Sequence, residues 1–155
     1  MDKYKSFILD DCSNIDDLIS LSPLINKKIL ITGGTGIVGT YLIASIISFV
    51  KKNNIQDVQV DFISKNSISD FHGEIIKDEP YIRNICTDLS LENFSVNLES
   101  NYDFIIHAAG YGQPGKFLQN PNKTILINTF ATSILLDKLK DNGKFLDLKG
   151  KKILW

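Results

Sequence analysis

The stretch Lys27-Lys28-Ile29-Leu30-Ile31-Thr32-Gly33-Gly34-Thr35-Gly36-Ile37-Val38-Gly39 reads as an apolar strand running into a glycine-rich turn, and TYLIASIISFVKK from Thr40 onward continues it as a helix. Strand, glycine turn and helix in that order open a βαβ unit. Gly33, Gly36 and Gly39 are spaced so that the first makes the tight turn, the second lets backbone approach a pyrophosphate and the third lets the helix press on the strand. The helix N-terminus behind them offers unpaired N–H groups and partial positive charge to an anion. A dinucleotide site is the expectation.

Further along, the chain alternates between strand and helix patterns. A β-rich segment covers 58–64, a short strand is expected at 82–86 after a polar connection, and a strongly apolar strand at 103–108. A loop holding Gly110, Gly112, Pro114 and Gly115 follows, then a helical stretch from Pro121 to Leu139 through Ile125, Leu126, Ile134 and Leu135. Alternation of this kind implies a parallel sheet covered on both faces, which is why ILIT and FIIHAA run apolar without a break. The expected class is α/β, a three-layer Rossmann fold with strand order 3-2-1-4, incomplete at its C-terminal side.

Residues 27–146 form the expected binding domain, 1–26 an N-terminal extension and 147–155 an irregular tail. In the extension, Ser13 and Asp16 read as a capping box for a short amphipathic helix carrying Ile15, Leu18, Ile19 and Leu21. Near the other end, Gly143-Lys144-Phe145-Leu146 begins like a fifth strand and runs into Asp147, Lys149, Lys151 and Lys152. Charge of that density does not suit a strand buried on both faces, so it is expected to form only in part and to leave the fourth strand as an edge.

Composition narrows the partners. The 155 residues are 43% hydrophobic and 23% charged with a net charge of -1, an ordinary globular balance without the basic surplus that nucleic acid or an anionic membrane demands. The apolar run at 43–50 is interrupted by Ser45 and Ser48 and falls far below the roughly 20 residues of a membrane span. A cytoplasmic location is expected. Cys12, Cys86, His72 and His107 show no metal-ligand spacing, so no metal site is expected and both thiols read as free.

Three further motifs follow TGGTGIVG in order: Asp88-Leu89 after the third strand, Asp103-Phe104-Ile105-Ile106-His107-Ala108-Ala109-Gly110 at the fourth, and Asn120-Pro121 with Asn128-Thr129-Phe130-Ala131-Thr132 in the next helix. Together they resemble the extended short-chain dehydrogenases, and within them the nucleotide-sugar epimerase, dehydratase and decarboxylase branch, from Lys27 to Leu146. The resemblance implies that Gly33, Thr35, Gly36 and Ile37 line the pyrophosphate with Gly39 behind them. It implies that Asp88 and Leu89 meet the adenine, that Ala108, Ala109 and Gly110 border the nicotinamide ribose, and that Asn128 supports the cofactor region. Without it, Asp88 is equally a turn cap, Ala108 and Ala109 small core residues, and Asn128 a solvated helix position. His107 is expected to pack at a strand end and not to act as a base.

The second strand departs from the NAD pattern. Where an acidic residue ordinarily holds the ribose 2′-hydroxyl, VQVDFISKN ends in Ser64-Lys65, a hydroxyl beside an ammonium that suits a 2′-phosphate. NADP is favoured over NAD on this ground, with Asp61 as the competing ribose acid. The resembled family also uses a Ser or Thr and a Tyr-x-x-x-Lys pair for proton exchange with the substrate hydroxyl. None of Tyr4, Tyr41, Tyr81, Tyr102 or Tyr111 has lysine four residues later, so no catalytic residue is assigned.

The expected function is therefore the NAD(P)-binding part of a nucleotide-sugar epimerase- or dehydratase-like protein, shortened and not catalytic alone. The nucleotide sugar is the substrate of an intact relative, and the resemblance leaves two readings of the helix 121–139 open, pairing with a second copy as a homodimer or packing as ordinary sheet-facing core. The alternatives are a noncatalytic dinucleotide-binding or regulatory module, or a remnant gene product.

Overall fold

A computed structural model of the chain describes residues 2–140, 145–146 and 152–153. Strands β1 (Lys27–Thr32), β2 (Val58–Ser64), β3 (Ile82–Cys86) and β4 (Phe104–His107) form one parallel sheet in the order β3-β2-β1-β4. The central strand β1 places Ile29 between Val60 of β2 and Phe104 of β4. Both of its faces are covered, and the whole of Ile29–Thr32 is buried. This explains the unbroken apolar run, since a strand in a covered parallel sheet has no solvent face to reserve for polar residues.

Helices α1 (Asp2–Asp11), α3 (Ile37–Asn53) and α4 (Asp70–Ile76) pack over one face, on a core of Ile29, Ile31, Ile47, Val60, Phe62 and Ile75. The opposite face carries Leu30, Ile63 and Ile85 against Phe94, Tyr102, Ala131 and Leu135. Its covering helix runs as α6 (Pro121–Ile125), a wide π turn (Leu126–Phe130) and α7 (Ala131–Leu136), after a short α5 (Pro114–Gln119). Helix, sheet and helix give the expected three layers. The one long helix expected to Leu139 is thus widened in its middle and closes at Leu136.

The N-terminal reading needs correction. Only one turn, α2 (Ile15–Leu18), is helical where the stripe was expected, and Leu18 and Ile19 are exposed. Ser13 caps nothing there, because its hydroxyl donates backward to the Asp10 carbonyl at 2.7 Å, and Asn14 sits at the helix start without a side-chain bond. The packing helix lies earlier: α1 sets Ile8 and Leu9 against the core. Helix α4 was expected as a polar connection, since Gly73 and few apolar residues weaken its signal, and it is held by burying Ile75.

After α7 the chain touches the edge of the sheet, with Tyr102 N–H donating to Lys138 and Lys140 N–H donating to Tyr102. Among the described residues no fifth strand joins the parallel sheet. Phe145–Leu146 (β5) instead pairs antiparallel with Lys152–Ile153 (β6) in a separate two-stranded sheet. Among the described residues β4 is therefore an edge, with Phe104 and Ile106 partly exposed at 38% and 36%. Gly143 and Lys144 at the start of the expected fifth strand, and Leu154 and Trp155, lie outside the described residues.

Candidate functional site

The C-terminal ends of β1, β2, β3 and β4 meet at a cleft of about 290 Å³, the position at which open parallel sheets hold their ligands. Its floor is the glycine turn. Gly33 has φ +71°, and an added Cβ would stand 2.9 Å from the backbone of Ala108 and Ala109. The turn can therefore press on the end of β4 only because this residue has no side chain. Both Gly33 and Gly34 donate N–H bonds to the Ile63 carbonyl, and Gly36 donates to Gly33 at 2.9 Å.

Gly36 is the N-cap of α3 with an ordinary extended backbone, and an added Cβ there would meet only the Gly33 carbonyl, at 3.2 Å. What its missing side chain leaves open is cleft space. Gly39 acts differently from expectation. Its added Cβ would collide with Gly33 O and reach within 2.6 Å of Gly34 Cα, so it lets the helix close on the turn itself and does not face β1.

The cleft brings together Gly33, Thr35, Gly36, Ser64, Lys65, Asp88, Leu89, Ala108, Ala109 and Gly110. Three expected residues do not line it. Ile37 is 83% exposed at the start of α3, Gly39 is buried beneath the turn, and Asn128 is exposed with its amide donating to Thr124 within its own helix at 2.7 Å. Ile63, Thr87, Tyr111 and Ile127 line the cleft although the sequence did not point to them. Tyr111 had a readable signal, since it directly follows the small residues that end β4. Ile127 had none, because its pattern is that of core.

The charged chemistry of the cleft is one ion pair. Lys65 Nζ lies 3.0 Å from Asp88 Oδ2, while Ser90 donates its amide and hydroxyl to Asp88 Oδ1 at 3.0 and 2.7 Å. Burial alone would raise the Asp88 pKa, but the Ser90 donors and Lys65 together hold it down to about 2. Asp88 in turn holds the lysine pKa above its ordinary value. Ser64 does not stand beside Lys65 as a second ligand. Its hydroxyl donates to the Asn66 carbonyl at 2.8 Å and accepts from Asn84 Nδ2 at 2.9 Å.

Asp61 lies inside the protein, not at the ribose position. It is buried on β2, accepts Arg83 Nε and a second guanidinium nitrogen at 2.8 and 2.6 Å, and also accepts the Tyr102 hydroxyl.

Two histidines brace the site. His107 Nε2 meets the Ile127 carbonyl at 3.0 Å, Nδ1 meets Thr32 Oγ1 at 2.6 Å, and Oγ1 accepts the Ala109 N–H at 3.1 Å. A carbonyl can only accept, so Nε2 carries the proton and Nδ1 accepts from the Thr32 hydroxyl. Both ring nitrogens are used, Nδ1 tying β4 to β1 and Nε2 tying it to the π turn. His72, at the start of α4, contacts Thr40 Oγ1 at 3.2 Å and Ser69 Oγ at 2.8 Å, and burial pushes its pKa down against a hydrogen bond that the ring donates to the Thr35 backbone. Among the described residues no group of His, Cys, Asp and Glu is placed to hold a metal, and no helix is long and apolar enough to cross a membrane.

The sequence model of the NAD dependent epimerase/dehydratase family matches residues 29–149. The chain belongs to this family. UDP-glucose 4-epimerase from Neisseria meningitidis serogroup B is 26% identical over 132 residues, covering 77% of this chain and 34% of that protein. The solved structure of Pen from Bacillus thuringiensis is 25% identical with a TM-score of 0.56, over 73% of this chain and 34% of that one. WbmF from Bordetella bronchiseptica, solved with NAD+, shares the fold at 24% identity and a TM-score of 0.59, over 78% of this chain and 34% of its own. The chain thus spans about a third of the length of the epimerase/dehydratase relatives it matches.

Proposed function

We propose that this chain binds NAD(P) in the cleft at the ends of β1–β4, as the cofactor-holding part of a nucleotide-sugar epimerase or dehydratase, and does not turn over substrate by itself. The observation that carries the reading is the glycine turn. Gly33 packs on β4 without a side chain, Gly36 leaves cleft space open, and the first turn of α3 begins there, a cradle shaped for a pyrophosphate at a helix N-terminus. Leu89 and Ile63 supply apolar wall for the adenine, and Ala108, Ala109 and Gly110 leave room for the nicotinamide ribose. When bound, the dinucleotide would supply hydride transfer. The chain's own residues bind and orient it, and no tyrosine here is followed by the lysine that proton exchange with a sugar hydroxyl uses.

The favoured choice of NADP over NAD rested on Ser64 and Lys65, and both side chains already have protein partners. In support of pairing with a second copy, the helix through the π turn leaves Ile125, Leu126 and Leu136 exposed while Ala131 and Leu135 face the sheet. Calorimetric titration of the chain with NAD and NADP, followed by a turnover assay with UDP-glucose, tests the reading. Binding without turnover is expected. Binding of neither dinucleotide overturns it, and turnover by the chain alone overturns its noncatalytic half.

A further inference from the structure

The tyrosines beyond α1 differ in one respect. The hydroxyls of Tyr41, Tyr81 and Tyr102 each donate to a carboxylate, that of Asp11, Glu79 and Asp61 in turn. Tyr111 is half-buried and lines the cleft, yet its hydroxyl has no hydrogen-bond partner among the described residues. A phenol drawn partly out of water with nothing to donate to is a donor available to a ligand. The order of the strands says what this side chain spans. Tyr111 follows β4, Lys65 follows β2, and β1 with its glycine turn lies between them. Both side chains line the same cleft, and the phenol stands near enough to Lys65 to add, after Asp88, to the rise in the lysine's pKa. To approach the end of β2 from the end of β4, the ring crosses in front of the glycine turn. An added Cβ at Gly110 or Gly112 would meet nothing within 4 Å, so the chain on either side of Tyr111 stands clear and leaves the ring room to lie over a bound group.

We propose that Tyr111 is a diphosphate-binding residue, its ring walling the cleft across from the glycine turn and its hydroxyl donating to a phosphate oxygen. The inference rests on the dinucleotide reading of the cleft and adds a contact that the glycine turn does not provide. The turn and the start of α3 offer backbone N–H groups from one side, while a diphosphate carries acceptor oxygens on every side. An oxygen turned away from the turn needs a donor from the opposite wall. The Tyr111 hydroxyl is such a donor, and an O–H bond to a phosphate oxygen is charge-assisted and short. Lys65 does not fill this place, because Asp88 holds its ammonium at 3.0 Å on the side of the cleft given to the adenine.

The test measures the affinities of ADP and NAD by calorimetry, and the binding of adenosine by saturation-transfer NMR, for the whole chain as wild type, Tyr111→Phe and Tyr111→Leu. Phenylalanine keeps the ring and removes the hydroxyl alone. It should weaken ADP and NAD by about tenfold, the scale of one charge-assisted hydrogen bond, and leave the adenosine signal as it is in the wild type. Leucine takes away the aromatic wall as well and should weaken ADP and NAD at least as much, again with adenosine unmoved. An ADP affinity in Tyr111→Phe equal to that of the wild type overturns the proposal. So does an adenosine signal that falls in step with ADP affinity, since the phenol would then meet the adenosine end of the ligand and not its phosphates. A wild type that binds neither ADP nor NAD strikes the underlying cofactor reading instead.

Discussion

Thr32 and His107 face each other across the β1–β4 pair and join side chain to side chain, with Oγ1 2.6 Å from Nδ1. The same hydroxyl accepts the Ala109 N–H, so one buried oxygen ties the imidazole to the backbone that borders the cleft. Thr32→Val preserves shape and deletes that oxygen, leaving two polar groups without a partner. A loss of about 1–3 kcal/mol is expected, read from urea denaturation, with Thr32→Ser restoring most of it. A variant as stable as wild type would show that this chain of bonds contributes nothing net.

Gly36→Val probes the cradle at the cost of a small shift in the Gly33 carbonyl. The backbone at Gly36 is extended, where any residue fits, and the nearest neighbour of an added Cβ is one carbonyl at 3.2 Å. The valine branches would occupy the space assigned to the pyrophosphate. Calorimetry should show no dinucleotide binding by a variant whose circular dichroism is unchanged. Retained affinity would place the phosphates elsewhere.

The ion pair inside the sheet predicts an asymmetry. Asp61 is buried and bonded to both Arg83 and Tyr102, whereas the Arg83 side chain is 48% exposed and also reaches Glu99 at 2.9 Å. Removing the carboxylate strands the Tyr102 hydroxyl and a guanidinium with half its solvent gone. Removing the guanidinium leaves the carboxylate with the tyrosine. Arg83→Met, which leaves the buried carboxylate uncompensated, should therefore cost about 3–5 kcal/mol, and Asp61→Ala, after which the half-exposed guanidinium keeps Glu99, less, by chemical denaturation of each. Equal losses would mean the pair acts as a unit and burial does not divide it.

Asp88 also marks the acid limb of stability. Its folded pKa of about 2 lies below the ordinary 3.8, so the unfolded chain takes up the proton first. The stabilisation is present above 3.8 and is lost as pH falls toward about 2. Asp88→Asn should flatten the pH dependence of the urea midpoint in that window and leave its slope at neutral pH unchanged. An unaltered acid limb would show that the carboxylate is no better held in the folded chain than in the unfolded one.

Much of the fold was legible because local signals and the global pattern agree there. The residues of β1, β2 and β4 are readable from their apolar runs, and the glycine spacing locates the turn before α3. Reading failed where a side chain's partner is distant in sequence. Lys65 looks like a free cation until the fold sets it beside Asp88, and Ser64 looks like a ligand until Asn84 reaches it from β3. Asp61 looks like a site carboxylate by its place on β2, and only the register with Arg83 shows otherwise. The short helix α4 is not readable because burial of Ile75 holds it more than its own sequence does, and α5, which buries no residue, begins where Pro114 and Gly115 read as loop.

The wide turn at Leu126–Phe130 also bears on how this chain can vary over generations. An α-helix completes a turn in 3.6 residues, and a π turn takes up one more. Deleting a single residue within it would leave a regular helix whose two halves keep their present orientation, so that Ala131 and Leu135 still meet the sheet, while Ile127 would shift from the cleft and from His107. The same deletion one turn later would rotate Leu135 out of the core. The helix therefore carries a spare position, where its length can drift by one residue while the pattern that packs it stays in phase.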